Sequence, residues 1–494
     1  MAARPHHAWL DERTREEELE FKRWLDSLTT ASSLDLSLTN QGVWRTDRLN
    51  MLREYLPRCP NLTSANVSGI NLAALDPKFL EMLGDIFAQC PNLTHVYFSN
   101  TNLGALDKAR LDALGGGLVR CRKLIFLDLS SNNLGALGED YLKALGDILV
   151  LCRNLDSVDF SHNNLRFLNK ACIKALGDRL ALCLNLASLN FSLNNLGGWD
   201  KDCLEVLGDI WVRCRKLSFL DISCNFLGNL DSKCIMILGR ILAQCPNLVS
   251  VDFGTNFLNK LDRECLGSLF QSRNFASVIL SGNSLNALDK VRIEAVGDSW
   301  IQCPNLFSMD LSHNFLGNLD RARLGVWGDR FIRCLNLTSI DLRYNFVLDI
   351  LYEECPGILG SILAQCPSLS SLMLCASDLN KFSDEQFDQF MGALETNEKI
   401  IIRFPADADN LKYLAPERQS RLQRFIQHNE ALSVERALNE AANFAFPAFP
   451  SAPPIVFREG PAVPPGSGAA VAFPPRHSEA AAAPGAAERR HPPL

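Results

Sequence analysis

The sequence predicts an α/β solenoid, with a parallel sheet lining the inner face and helices covering the outer one. Three observations predict it. Cys59, Cys90, Cys121, Cys152, Cys183, Cys214 and Cys245 stand 31 residues apart. Asn132, Asn163, Asn194, Asn225, Asn256, Asn283, Asn314 and Asn345 keep one phase relative to them. Between these markers each unit alternates with period two and then switches to helical spacing, a strand followed by a helix. Self-similarity at such a period means that each unit cannot bury its apolar face alone and must stack.

The strand is read from segments such as LIFLDLSSNNL, residues 124–134. Leu127 and Leu129 alternate with Phe126, Asp128 and Ser130, so the leucines share one face. The asparagine falls where the chain leaves the strand and turns inward. Its amide can satisfy backbone groups of neighbouring turns that burial would otherwise leave unpaired, so repeated asparagines in one phase predict a hydrogen-bonded ladder. The helix is read from Leu142, Leu145, Ile148 and Leu149, spaced by three and four. Asp76 before Pro77, and Asp107, Asp231 and Asp320 in other units, are N-cap signals. Gly84, Gly146, Gly177, Gly208, Gly239, Gly297 and Gly328 recur in mid-helix, where glycine costs about 1 kcal/mol relative to alanine. A recurring cost predicts a recurring close approach of the helix to its surroundings.

Eleven clear units begin their strands near Leu62, Leu93, Leu124, Leu155, Leu186, Leu217, Leu248, Phe275, Leu306, Leu337 and Leu369. One register step outward at each end gives weaker strands at Leu34–Leu38 and Ile400–Ile402. Residues 1–33 are expected to form an N-terminal helical cap, through Phe21, Trp24, Leu25 and Leu28. The solenoid then runs over 34–404, and a C-terminal helical cap over 405–443, through Leu422, Phe425 and Ile426. From 444 to 494 the chain becomes rich in proline and alanine without periodicity, the composition of a disordered tail. The unit after Cys245 lacks four residues, and Ser272 takes the cysteine's place. Its strand carries Ile279 where most units carry Asp, which predicts a locally thinner outer layer and a hinge or docking point.

The spacing L-x-x-L-x-L-x-x-N-x-L, the LDLSxN strands and the LGD segment in the helix resemble the ribonuclease-inhibitor-type leucine-rich repeats. The resemblance covers about residues 34–404, with a unit slightly longer than that family's usual one. It implies a horseshoe fold and a non-catalytic role in protein–protein interaction through the concave face and its rims. Its narrower implication is an effector acting on host proteins, cytoplasmic or exported into a host cell if the source is bacterial. A GTPase-activating or ubiquitin-ligase-associated regulator is the alternative. No Cys-x-Asp motif of the bacterial repeat ligases is present, and no phosphate-binding glycine loop.

Composition bounds the function. The net charge of −7 argues against a nucleic-acid partner, and no apolar run approaches the roughly 18 residues of a membrane span. The 17 cysteines include a second column, Cys172, Cys203, Cys234 and Cys265. Neighbouring units are separated on the helical side by about 8–10 Å, too far for disulfides, so free, buried thiols are expected. No catalytic residue, cofactor or metal site is expected. The candidate partner-binding residues lie on the inner strand face. An acidic column of Asp128, Asp159, Asp221, Asp252, Asp310 and Asp341 suits a basic protein partner. Phe126, Phe219, Tyr97, His162, His313, Tyr344, Arg343 and Met373 are the irregular positions expected on the same face, where exposed aromatics beside charge are typical anchors.

Overall fold

The structure, a computed structural model, describes residues 6–37, 46–346, 354–404 and 414–443. The chain separates into two units, Met1–Ala437 and Leu438–Leu494, and the repeats occupy the first. The Pro/Ala-rich segment 444–494 and residues 405–413 lie outside the described residues.

Among the described residues thirteen parallel strands form one sheet in strict chain order, from Ser33–Asp35 to Ile401–Arg403. The two outermost are those at the weaker ends of the repeat. Each strand has three residues, and the middle one is buried: Leu127, Val158, Leu189 and Leu220 pair in register across four successive strands. After each of the nine strands from Ser64–Asn66 to Ser308–Asp310 the chain makes a short 3₁₀ turn and enters a helix, such as Pro77–Gln89 or Lys201–Arg213. Strands stack at about 4.8 Å and helices at about 8–10 Å, a mismatch that bends such an array with its sheet inside.

The helices start where the sequence places their caps. Asp76, Asp107, Asp231 and Asp320 each accept a backbone N–H from the first turn, and Asn169, Asp200, Asp262 and Asp289 do the same. The recurring glycines answer to the next helix. A Cβ on Gly84 would meet the backbone of Gly117 at 3.0 Å, and one on Gly208 would run into the side chain of Ile241.

All 17 cysteines are free thiols, and only Cys224 is not fully buried. Cysteines of the first column end the helices, where Cys90 and Cys121 donate weakly to carbonyls four residues back, both at 3.6 Å. Those of the second column reach the preceding unit, Cys172 to the Leu137 carbonyl at 3.8 Å. Burial pushes the Cys90, Cys121 and Cys214 thiols up to about 12.

The asparagine ladder is present and continuous. The Asn132 N–H donates to Asn163 Oδ1 at 2.8 Å, and the pattern continues to Asn314 and Asn345 at 3.0 Å. Each side-chain nitrogen donates to a carbonyl of the unit before, as Asn163 Nδ2 does to the Leu129 carbonyl at 2.9 Å. Thr101 opens the ladder by donating its N–H to Asn132 Oδ1, and the buried Asp378 closes it by accepting from the Asn345 N–H at 3.2 Å.

The short unit reduces its helix to Arg263–Leu269, seven residues against thirteen in the preceding Ser232–Gln244. Cys265, Leu266 and Leu269 keep the apolar face in phase. The vacated volume is filled by Phe270, which lies edge-on to Phe253 at 5.4 Å and to Trp300 at 6.4 Å.

Candidate interaction surface

The first and third residues of each strand face away from the core, and the first is usually serine. Bulk enters that row at His95, Phe126 and Phe219 only among strands two to eleven. The register places His95 beside Phe126 and Tyr97 beside Asp128. Phe126 sits 5.6 Å from the His95 ring and 5.5 Å from the Tyr97 ring, making one half-buried aromatic group on two strands. Phe219 has serines on both neighbouring strands, Ser188 and Ser250. The structure therefore does not bring Phe126 and Phe219 together.

The acidic column occupies the third strand position and pairs by register: Asp128 with Asp159, Asp221 with Asp252, and Asp310 with Asp341. Ile279 interrupts it between Asp252 and Asp310. These carboxylates do not stand free in solvent as the sequence suggested. They are half-buried, and Asp341 is fully so. Each turns back on its own chain: Asp128 accepts the Ser130 N–H at 2.8 Å, Asp159 that of Ser161 at 2.7 Å, and Asp252 that of Gly254 at 2.7 Å. Asn66 and Asn190 make the same bond in their units. The residue thus ends the strand by an Asx turn, and that local function explains its recurrence. Burial raises the carboxyl pKa of Asp128, Asp221 and Asp310, and it pushes Asp252 up to about 7 with help from the neighbouring Asp221 charge. The column carries less negative charge at neutral pH than its count of aspartates implies. Asp341 is further neutralised by Arg343, whose guanidinium lies 2.6 Å from it.

His162, His313 and Tyr344 also depart from the face expected for them. They lie not on the strand face but three residues beyond their strands, in the turn that precedes the ladder asparagine. Each has a positive φ, between 56° and 58°. The residue after the ladder position is also left-handed: Asn102 after Thr101, and Asn133, Asn164, Asn195, Phe226, Phe257, Ser284 and Phe315 after the asparagines. Two left-handed residues straddle each ladder asparagine from Asn132 to Asn314, and together they aim it inward.

This is a leucine-rich-repeat solenoid. A strand, a left-handed turn around a buried asparagine and a capped helix recur at a 31-residue period along one parallel sheet. No protein-family model and no curated protein sequence matches the chain. Among solved structures, it is similar to the leucine-rich repeat-containing protein LegL7 from Legionella pneumophila, at 20% identity over 64% of this chain and 94% of that one, with a TM-score of 0.49. It also resembles the protein of the TLR13–ssRNA13 complex, at 20% identity over 75% of this chain and 57% of that one, TM-score 0.37. The C-terminal domain of tropomodulin from Caenorhabditis elegans matches at 13% identity over 36% of this chain and 99% of that one, TM-score 0.28. The assignment of the fold stands on the chain's own repeat geometry.

The left-handed turns of the leucine-rich-repeat units form a rim that sequence reasoning left out. Four early units place Asn after the ladder residue, and Asn102 and Asn71 bond side chain to side chain at 3.1 Å. From Phe226 onward phenylalanine replaces it, except in the unit that carries Ser284. Phe226 and Phe257 are exposed and stack at 5.7 Å, with Lys260 lying 5.0 Å over the Phe257 ring. Leu193 is exposed in the adjoining unit, and further along His313 stacks on Tyr344 at 4.4 Å. The legible signal was the change from NNL to NFL in otherwise constant units. His162 approaches Ser131, Oγ to Nδ1 at 3.3 Å, and stands apart from His313. Among the described residues no three His, Cys, Asp or Glu side chains are grouped to hold a metal ion, and no helix is long and apolar enough to cross a membrane.

Proposed function

We propose that the chain is a non-catalytic scaffold that binds a protein partner through the sheet face and the rim of left-handed turns. One observation carries this reading. Phe226 and Phe257 are held exposed in a conformation that bulky residues rarely adopt, at a position where neighbouring units use asparagine. Folding does not require these rings, and exposed aromatics on a rigid element are the usual anchors of an interface. Phe126 with Tyr97, and His313 with Tyr344, extend the contact area along the same array. Phe219 and the aspartate column contribute shape and polar contacts, the column acting as a partly neutralised strip. The buried free thiols fit a reducing compartment, and an effector acting inside a host cell is the narrower form of the proposal. The helices His6–Ser27 and Pro416–Asn443 act as caps closing the ends of the core.

The test is affinity capture with the whole chain against F226N/F257N, each bait cross-linked and washed identically. Proteins retained by the wild type and lost by the variant are the expected result. Equal retention by both baits overturns the assignment of the rim.

A further inference from the structure

The opposite rim, where each helix ends and the next strand begins, carries a second surface. Three of its loops repeat one neutral sequence, Gln89-Cys-Pro-Asn92, Gln244-Cys-Pro-Asn247 and Gln302-Cys-Pro-Asn305, and Gln365-Cys-Pro-Ser368 differs from it by one residue. Four consecutive loops depart from it together. They read Arg120-Cys-Arg-Lys123, Leu151-Cys-Arg-Asn154, Leu182-Cys-Leu-Asn185 and Arg213-Cys-Arg-Lys216.

Hydrogen bonds join these loops edge to edge. Asn154 Nδ2 donates to the Arg122 carbonyl at 2.6 Å, and Asn185 Nδ2 to the Arg153 carbonyl at 2.8 Å. Lys123 and Lys216 lie back on Asn92 and Asn185, at 2.6 and 2.7 Å. The departures therefore form one continuous patch. In its middle two loops stand Leu151, Leu182 and Leu184, exposed by 52%, 57% and 80%. Cations frame them at both ends. Arg120 and Arg213 are engaged by Asp85 and Asp178 of the helices. Arg122, Arg153 and Arg215 are exposed and carry no ion pair among the described residues. The four loops contain no acid, and Asp156, two residues beyond the second, is half-buried at a strand entry.

The geometry points to a docking surface for an acidic protein segment whose apolar side chains cover the three leucines. It rests on the reading of the chain as a protein-binding scaffold and names a different rim and the opposite partner charge. The charge of the patch opposes the chain's net −7, so complementarity is local and directed at this rim. An apolar centre inside a polar frame is the anatomy of a protein interface. Unit steps of about 5–10 Å make the patch roughly 15–30 Å long, the reach of a helix of about 10–20 residues.

The probe is a synthetic 18-residue helix-forming peptide with leucines on one face and glutamates elsewhere. A peptide of the same composition in scrambled order is the control, and vesicles of phosphatidylcholine and phosphatidylserine form a separate arm. Fluorescence anisotropy with the full chain should show binding that weakens at least about tenfold between 50 and 300 mM salt. R122Q/K123Q/R153Q/R215Q/K216Q should lose about tenfold at low salt, and L151Q/L182Q/L184Q a similar factor at both salts. Circular dichroism melts confirm that both variants fold; glutamine already stands at the Leu151 and Leu182 positions in other units. F226N/F257N should bind the peptide like the wild type. Binding that falls with F226N/F257N and not with the two loop variants overturns this surface and leaves the scaffold reading standing. Indifference to leucine order, no peptide binding, or binding of vesicles alone also overturns it.

Discussion

Asn225 holds two units together through one side chain: its Oδ1 accepts the Asn194 N–H at 2.9 Å, and its Nδ2 donates to the Phe191 carbonyl at 2.9 Å. The same Oδ1 takes the Leu196 N–H at 3.2 Å, and Nδ2 also reaches the Ser223 carbonyl at 3.0 Å. Removing the side chain strands several buried backbone groups, each costing about 1–3 kcal/mol. N225A is expected to lose at least about 3 kcal/mol in chemical denaturation. A loss under 1 kcal/mol would show that water replaces the amide.

Gly116 and Gly117 are adjacent, yet their substitutions should have opposite signs. A Cβ on Gly117 would enter the backbone of Gly84 on the preceding helix, whereas one on Gly116 meets nothing within 4 Å. G116A is expected to gain up to about 1 kcal/mol from helix propensity. G117A should lose about 1–3 kcal/mol through overpacking. Thermal melts of the two variants side by side decide it, and equal shifts would refute the close helix–helix approach of Gly84 and Gly117.

The raised Asp252 carboxyl makes stability depend on pH in a stated direction. Its pKa rises from the ordinary 3.8 to about 7 on folding. Between these values the folded state binds more protons than the unfolded one, so this contribution is complete below about pH 4 and is lost as pH climbs towards 7. D252N removes the titration and keeps the Oδ1 acceptor for the Gly254 N–H, as Asn190 does for Ser192. Relative to wild type, D252N should gain about 1–2 kcal/mol at pH 8 and nothing at pH 4, after allowance for partial solvent screening. A gap that does not vary with pH would mean that Asp252 titrates normally.

Phe226 and Phe253 test the difference between an exposed and a buried ring. F226N exchanges a strained left-handed phenylalanine for the residue neighbouring units use, while losing one ring stack worth about 0.5–1.5 kcal/mol. Its stability should stay within about 1 kcal/mol of wild type. F253A empties a fully buried site and should cost about 3–5 kcal/mol. If F226N unfolds the protein as readily as F253A, the ring belongs to the core and not to an interface.

Thiol reactivity should separate one cysteine from sixteen. Cys224 sits half-buried in a left-handed turn, and the other cysteines are buried. A thiol reagent added to native protein should modify about one site quickly, and unfolding without reductant should release the remainder of the 17. Several missing pairs after unfolding would show disulfides.

The repeat, the strand faces and the ladder were legible because each is written in the identity of a buried residue at fixed spacing. Leu127, Asn132 and Asp107 have one physical use apiece, and a period of 31 residues repeats that use until it cannot be mistaken. The candidate surface was less legible because exposure depends on backbone conformation, which spacing does not encode. His162 and Tyr344 alternate with buried neighbours as strand residues do, yet their positive φ moves them to the rim. Asp252 looks like a solvent charge in the sequence, and only the Gly254 N–H at 2.7 Å shows that it serves the chain's own turn. The short unit reads as a gap, whereas Phe270, lying against Trp300, shows that an aromatic ring takes the place of the missing helical residues.

The ladder has a direction, and that direction constrains how such a chain can lengthen. Every asparagine from Asn132 to Asn314 passes its N–H to the next acceptor and receives one from behind, so a duplicated unit inserted between them would splice into the chain of bonds at both ends. Asp378 breaks that equivalence: its carboxylate accepts the Asn345 N–H but has no amide hydrogens to hand to a neighbouring carbonyl. A gene duplication downstream of Asp378 would start a second ladder rather than extend the first. The ladder itself can gain rungs only between Thr101 and Asp378, whereas the strands beyond those two residues extend the sheet without extending the ladder.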